Sequence, residues 1–372
     1  MTLFALTLLR MAGVASKTLF HQPKVELHCH LDGAIRLQTI LHFAKKRKIK
    51  IPAQNEDELR SLVICSKPSS LTEVLSKFSH YMPVIAGDRE AIQQIAYELV
   101  EDKAKEGIVY LEARYNPHYL ANCKVHPVPW GHTEGDVSPD EVVNLVNQGF
   151  RRGQHDFGIK VRSILCCIRH KQEWSPEIAE LCKKYRNDGV VGIDLAGDEL
   201  TNAETYPGHM TAYEMAVKYG IHRTVHAGES GPAKVVREAL DILKAERIGH
   251  GYATITDPEL YKEILQKNIH IEACPLSSVL TGACDPDYTK HSVVTFLKDK
   301  ANFSLSTDDP LLFNSTIHTD YNIAAEHMNF TELDFKTMNI NAASSSFLCP
   351  TEKEELLNLL HTAYGMSKCA CY

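Results

Sequence analysis

The sequence is short of tryptophan, with only two, and short of positive charge: 40 lysines and arginines face 47 acids, for a formal net charge of −7. No basic stripe runs along it, so nucleic acid is a poor partner, and a small neutral or cationic ligand is easier to accommodate. No apolar run approaches the roughly 20 residues needed to cross a bilayer as a helix, so membrane insertion is not expected. No internal repeat and no linker divides the chain. Eleven cysteines in 372 residues are too few for a disulfide scaffold, and their odd number would leave one unpaired. Cys166 and Cys167 adjoin inside an apolar run and read as reduced core thiols, so a cytoplasmic setting is expected.

The two ends are set apart. Residues 1–22 read as an N-terminal extension. Within it Phe4 to Leu9, followed by Gly13 to Ala15, faintly resembles a leader, but the run is short, lacks a preceding positive residue and meets Arg10. Residues 367–372 read as a tail, in which Cys369 stands at a prenylation position followed by residues that fit the signal badly. Asn314-Ser315-Thr316 and Asn329-Phe330-Thr331 match the glycosylation pattern, which matters only in an exported chain. A second extracellular or cell-surface pool with a protein partner there stays compatible with the sequence, and a monomer is expected.

What the chain does have is 44% hydrophobic and 23% charged residues, enough for a sizeable core between residues 23 and 366. Short apolar or β-branched runs predict eight strands, at 25–30, 108–115, 161–168, 190–196, 224–226, 247–250, 269–274 and 303–307. Helical patterns lie between them, at 91–106, 139–152, 176–187, 209–219, 233–244, 258–267 and 293–299. Ser138 and Ser175, each followed by proline, mark two helix starts. Such alternation predicts an α/β fold, a TIM (β/α)8 barrel, with a doubly wound open sheet as the alternative.

Further helices are expected in an insertion after the first strand, at 37–48 and 70–81, and at the C-terminus, at 332–339 and 352–364. Leu71, Val74, Leu75 and Phe78 share one helical face. That stripe is either ordinary core or a lid over whatever lies at the end of the first strand.

Side chains alternate along a strand, so His28 and His30 share one face while Cys29 takes the other. In a (β/α)8 barrel the groups at the C-terminal strand ends converge on one mouth. Those ends carry His28, His30 and Asp32 from strand one, and Asp194 and Gly197 from strand four. Strand five adds His226 and Glu229, strand six His250, and strand eight Asp308 and Asp309. Three imidazoles and a carboxylate, His28, His30, His226 and Asp308, make a suitable first shell for one Zn²⁺ per chain. Zinc lowers the pKa of its water to about 7, so hydrolytic attack is the natural chemistry. Glu229 is then the candidate general acid or base, and His250 could orient the attacking group or stabilise its charge. Each of these residues taken singly is more often a hydrogen-bonded core residue; four in register at strand ends are not.

The segments His28–Gly33, Ser163–Cys167, Ile193–Glu199, His226–Glu229, Arg247–Gly251 and Ser306–Pro310 resemble, in order, the motifs of the animal zinc-dependent adenosine deaminases of the amidohydrolase superfamily. The resemblance implies hydrolytic deamination of adenosine and 2′-deoxyadenosine to inosine and 2′-deoxyinosine, with release of ammonia. It implies attack of zinc hydroxide on purine C6, with Glu229 protonating N1 and with His250 and the ligand Asp308 taking catalytic parts. Substrate contacts would come from His30, Asp32 at the ribose 5′-hydroxyl, the Gly197 backbone N–H at N3 and Asp309 at N7. An acid at the 5′ end would repel a phosphate, which disfavours AMP.

Overall fold

The chain folds, in a computed structural model that describes residues 20–199 and 206–366, around eight parallel strands adjacent in sequence order. They are β1 (Lys24–His30), β2 (Ile108–Tyr115), β3 (Lys160–Ile168), β4 (Val190–Ala196), β5 (His222–Ala227), β6 (Arg247–His250), β7 (His270–Ala273) and β8 (Phe303–Leu305). Asp308, just past β8, closes the ring onto β1. Its N–H donates to the His28 carbonyl at 3.1 Å, and its own carbonyl accepts from the His30 N–H at 2.8 Å. The barrel is therefore the one expected, and the open sheet is excluded.

Helices wrap the outside because each strand buries both faces. On β1, Leu27 and Cys29 belong to the apolar layer while Glu26 and His28 are fully enclosed polar groups. Helix Pro139–Phe157 begins as its sequence predicts, with the Ser138 side chain accepting from the Glu141 N–H, and it ends at Gly158, whose φ of 71° suits the left-handed stop. Ser175 departs from expectation. A 3₁₀ turn, Gln172–Trp174, precedes it, so it lies inside helix Ser175–Tyr185 rather than capping it. Its hydroxyl is buried instead against His209 Nδ1, at 2.8 Å.

Among the described residues, three helices of more than one turn lack a pattern that the sequence made legible. Glu56–Val63 is short, with two buried residues. Ile317–His327 is capped by Thr316 with threonine rather than an acid three residues on. Pro275–Leu280 is almost wholly buried, so it carries no polar face to set its period. β8 is also shorter than its apolar run, because the chain turns at Asp308 into a positive φ of 62°.

The insertion after β1 folds as Leu37–Arg47, Glu56–Val63 and Leu71–Ser76, the last running on into a 3₁₀ turn, Lys77–His80. At the other end of the chain, Glu332–Ser345 and Pro350–Tyr364 pack on each other and close the N-terminal end of the barrel, where Asn339 Oδ1 accepts from the Val25 N–H at 2.8 Å. Phe20 joins this layer, its ring 5.7 Å from that of Tyr321 and 5.4 Å from that of Phe335. The packed domain thus begins at least three residues before the expected boundary at 23. The leader-like run and the 367–372 tail lie outside the described residues. No described helix is long and apolar enough to cross a membrane.

Candidate active site

At the C-terminal mouth, the donor atoms of His28, His30, His226 and Asp308 all fall within 4.8 Å of one another. The Nε2 atoms of His28 and His30 each lie 3.1 Å from His226 Nε2, and each lies 3.3 Å from Asp308 Oδ1. His28 Nδ1 faces Glu272 Oε2 at 2.7 Å and His226 Nδ1 faces Asp194 Oδ2 at 2.9 Å. A carboxylate only accepts, so both Nδ1 atoms carry the proton and both Nε2 atoms present lone pairs. Two lone pairs 3.1 Å apart cannot hydrogen-bond each other. A cation shared among them removes the repulsion, and a three-nitrogen, one-oxygen donor set suits a divalent transition metal.

A deeper layer holds these groups. Arg114, fully enclosed, reaches Asp194 at 3.0 Å, Glu272 at 2.6 Å and the Leu27 carbonyl at 2.7 Å. Burial alone would raise the pKa of Asp194 and of Glu272. For Asp194 the His226 imidazole and then Arg114 overcome it, and for Glu272 Arg114 and then Arg247, so both carboxyls lie well below their ordinary values. Ser277, from the helix Pro275–Leu280, donates to Asp308 Oδ2 at 2.6 Å and leaves Oδ1 to face the histidines. Burial would likewise raise Asp308, but the adjoining imidazoles of His28 and His30 hold it well below its ordinary value. His250 and Asp308 both sit at positive φ, 65° and 62°, a conformation that costs free energy away from glycine and clusters at functional sites.

Above the cluster opens a cavity of about 420 Å³ lined by His30, Asp32, Gly197, Glu229, His250 and Asp309, among others. Oxygens of Asp32, Glu229 and Asp309, and both His250 ring nitrogens, are buried there without a hydrogen-bond partner. Polar atoms left this way are the signature of a site shaped for a ligand. Burial, then the negative charges of Asp308, Glu199 and Asp309, push the Glu229 carboxyl well above its ordinary pKa. Asp309 is raised well above its own by burial, then by Asp308 and Asp32. His250 lies well below its own, through burial and the neighbouring His28. Gly33 has a specific reason to be glycine: a Cβ there would lie 1.7 Å from Asp309 Oδ1.

The stripe of Leu71, Val74, Leu75 and Phe78 lines the same cavity. The Thr72 hydroxyl, on that helix, hydrogen-bonds Asp198 across the mouth. His250, Cys274 and Asp308 also approach one another. Burial keeps the Cys274 thiol well above its ordinary pKa, however, so it stays protonated and is a poor ligand.

The profile of one sequence family, adenosine deaminase, matches residues 23–363. The chain belongs to the adenosine deaminase family. It is 66% identical to an adenosine deaminase of Xenopus tropicalis over 347 residues, 93% of this chain and 97% of that one. It is 61% identical to the adenosine deaminase of Mus musculus over 352 residues, 94% of this chain and all of that one. Among solved structures, an amidohydrolase from Burkhoderia ambifaria with bound Zn shares the fold at a TM-score of 0.82 and 26% identity, covering 93% of this chain and 92% of that one. A metal cofactor follows for this member of the adenosine deaminase family.

All the residues that the sequence nominated therefore come together at one mouth. Glu272, Arg114, Ser277 and Glu199 were missed, and Asp194 was noted without a role. The available signal was an acid or arginine at an inward-facing position of an otherwise apolar strand, as Glu112 and Arg114 are on β2 and Glu272 is on β7.

Proposed function

We propose that this chain catalyses hydrolytic deamination of adenosine and 2′-deoxyadenosine, with His28, His30, His226 and Asp308 holding one Zn²⁺. The reading is carried by the pairing, in one cavity, of a four-donor cluster with Glu229, a buried carboxyl whose pKa is pushed well above its ordinary value. The names borne by the relatives point to the same substrate. Bound zinc would supply the nucleophile by lowering the pKa of its water to about 7.

The chain's own residues do the rest. Glu229 donates its proton to purine N1 and draws electron density away from C6, which is where addition occurs. His250 Nε2 stands 3.6 Å from Glu229 Oε2 and, held neutral, offers a lone pair or a hydrogen bond to the group that adds. Asp309, whose pKa burial and the neighbouring acids raise well above its ordinary value, hydrogen-bonds purine N7. The Gly197 N–H meets N3. Asp32 accepts from the ribose 5′-hydroxyl. The lid stripe covers the base and excludes bulk water, which strengthens each of these polar contacts. The proton of the hydroxyl added at C6 passes to the exocyclic amine, which leaves as ammonia, and the 6-oxo product remains.

Among the described residues lining the cavity there is no lysine or arginine, and Asp32 adds negative charge. A phosphate at the 5′ end has no cationic partner there, so nucleosides are favoured over nucleotides. Initial rates on adenosine, AMP and adenine test the reading. Fast adenosine turnover is expected; negligible adenosine turnover beside fast AMP turnover would replace it.

A further inference from the structure

Glu199 closes the segment Ile193–Glu199, and the chemistry above uses it only as a negative charge near Glu229. It is 1% exposed, and its carboxylate faces the backbone of the loop after β5. Its Oε1 accepts from the Gly228 N–H at 2.8 Å, and its Oε2 accepts from the N–H groups of Glu229 and Gly231 at 2.9 and 2.7 Å. Three amides of one turn thus converge on one carboxylate, an arrangement that suits an acceptor-only group.

The surroundings are built for this approach. Gly228 has a φ of +68°, and a Cβ on Gly231 would lie 2.9 Å from Glu199 Oε2 and 3.0 Å from Glu199 Cβ. Arg169, at the end of β3, closes the other side. One of its guanidinium nitrogens lies 3.6 Å from Glu199 Oε1 and donates to the His226 carbonyl at 2.6 Å. Glu199 and Arg169 therefore grip the whole stretch from His226 to Gly231. The Glu229 side chain, by contrast, has one oxygen with no partner at all. Its aim depends on where its backbone is held.

We propose that Glu199 is a positioning residue for the deamination: it clamps the Gly228–Gly231 turn so that the Glu229 carboxyl meets the base in a reactive geometry. The clamp rests on the function proposed above. Because it fixes the proton donor rather than the lid or the ribose site, it acts on the rate of the bound complex more than on binding. Glutamine at this position keeps the shape but turns an N–H₂ group toward the amides in place of an acceptor oxygen. Aspartate keeps the charge on a shorter stem.

The test compares the metal-loaded parent with Glu199→Gln and Glu199→Asp, reading metal content, kcat, KM and the inhibition constant of inosine. In Glu199→Gln, kcat is expected to fall about 100-fold or more, while metal content, KM and inosine inhibition stay within about threefold. Glu199→Asp is expected to recover at least about tenfold of that loss. A folded, metal-loaded Glu199→Gln enzyme with kcat within threefold of the parent overturns the clamp, and so does a loss confined to KM. If Glu199→Gln does not fold, Gly231→Ala decides, since its Cβ displaces the same carboxylate oxygen. A kcat loss of tenfold or more supports the clamp, and an unchanged kcat overturns it. A parent with no adenosine turnover would overturn the deaminase reading and the clamp with it; an active parent beside an unaffected Glu199→Gln overturns the clamp alone.

Discussion

His28 Nδ1 lies 2.7 Å from Glu272 Oε2, and this contact decides which imidazole nitrogen is free to bind a metal. Glu272 in turn is held by Arg114, Arg247 and Thr224, so the orientation of one ligand is set by a chain of buried charges that reaches down the barrel axis. Buried ion pairs of this kind add little net stability but penalise any broken member.

Glu272→Gln is therefore expected to weaken metal binding by about 10- to 100-fold while leaving the four ligands in place. Competition against a chelator of known affinity measures it. Unchanged affinity would mean that the tautomer of His28 is fixed in some other way.

The Thr72 hydroxyl binds Asp198 from the lid side of the cavity, one residue from Gly197. Thr72→Val removes that hydrogen bond and should loosen the closed position of the helix Leu71–Ser76. The expected result is a KM for adenosine raised by about three- to tenfold, equivalent to a lost bond of about 1 kcal/mol, with metal content unchanged. Steady-state kinetics beside a metal assay checks this, and an unaltered KM would show that the latch does not govern access.

Asp320 is 1% exposed, accepts from the Leu276 N–H at 2.9 Å through one oxygen, and has no partner for the other. Burial, the largest cause, pushes its pKa up to about 8. An acid raised in the folded state above its unfolded value of about 4 contributes stability that is complete below about pH 4 and is lost as the pH rises to 8. Asp320→Asn, always neutral, should therefore match the parent in melting temperature near pH 4 and exceed it by several degrees near pH 8. Thermal unfolding of metal-loaded protein at the two pH values measures it, and equal melting temperatures at pH 8 would contradict the assignment.

Much of this arrangement was legible in the sequence because it depends on strand ends. Runs such as Ile108–Tyr115 and Val190–Ala196 gave their strands to the residue, since parallel barrel strands are short, apolar and bounded by polar turns. His28, His30, His226 and His250 lie at or near the C-terminal ends of their strands, and Glu229, Asp308 and Asp309 just past theirs, so the fold alone brings them together. The supporting groups were less visible. Arg114, Glu272 and Asp194 lie inside strands, where alternation marks them as inward-facing but does not say which faces which. Ser277 sits on a helix whose burial conceals its period, Asp320 is an acid on the buried face of the helix Ile317–His327, and the pairing of Glu199 with the Glu229 loop bridges 30 residues of sequence.

Glu229→Gln should keep its metal, since the side chain is not among the four donors. It should lose at least about 10²- to 10⁴-fold in kcat, the range expected on removing a positioned acid. Metal analysis beside initial rates separates the two effects, and near-normal turnover would exclude Glu229 as the proton donor.

The central claim is that the four converging donors hold a metal on which adenosine deamination depends. The most direct test follows the fall in adenosine absorbance with purified protein before chelation, after chelation, and after Zn²⁺ is restored. Rapid conversion to inosine, its loss on chelation and its return with Zn²⁺ are the predicted results. Undiminished turnover by protein shown to be free of metal, or none by protein carrying one Zn²⁺ per chain, would contradict the account.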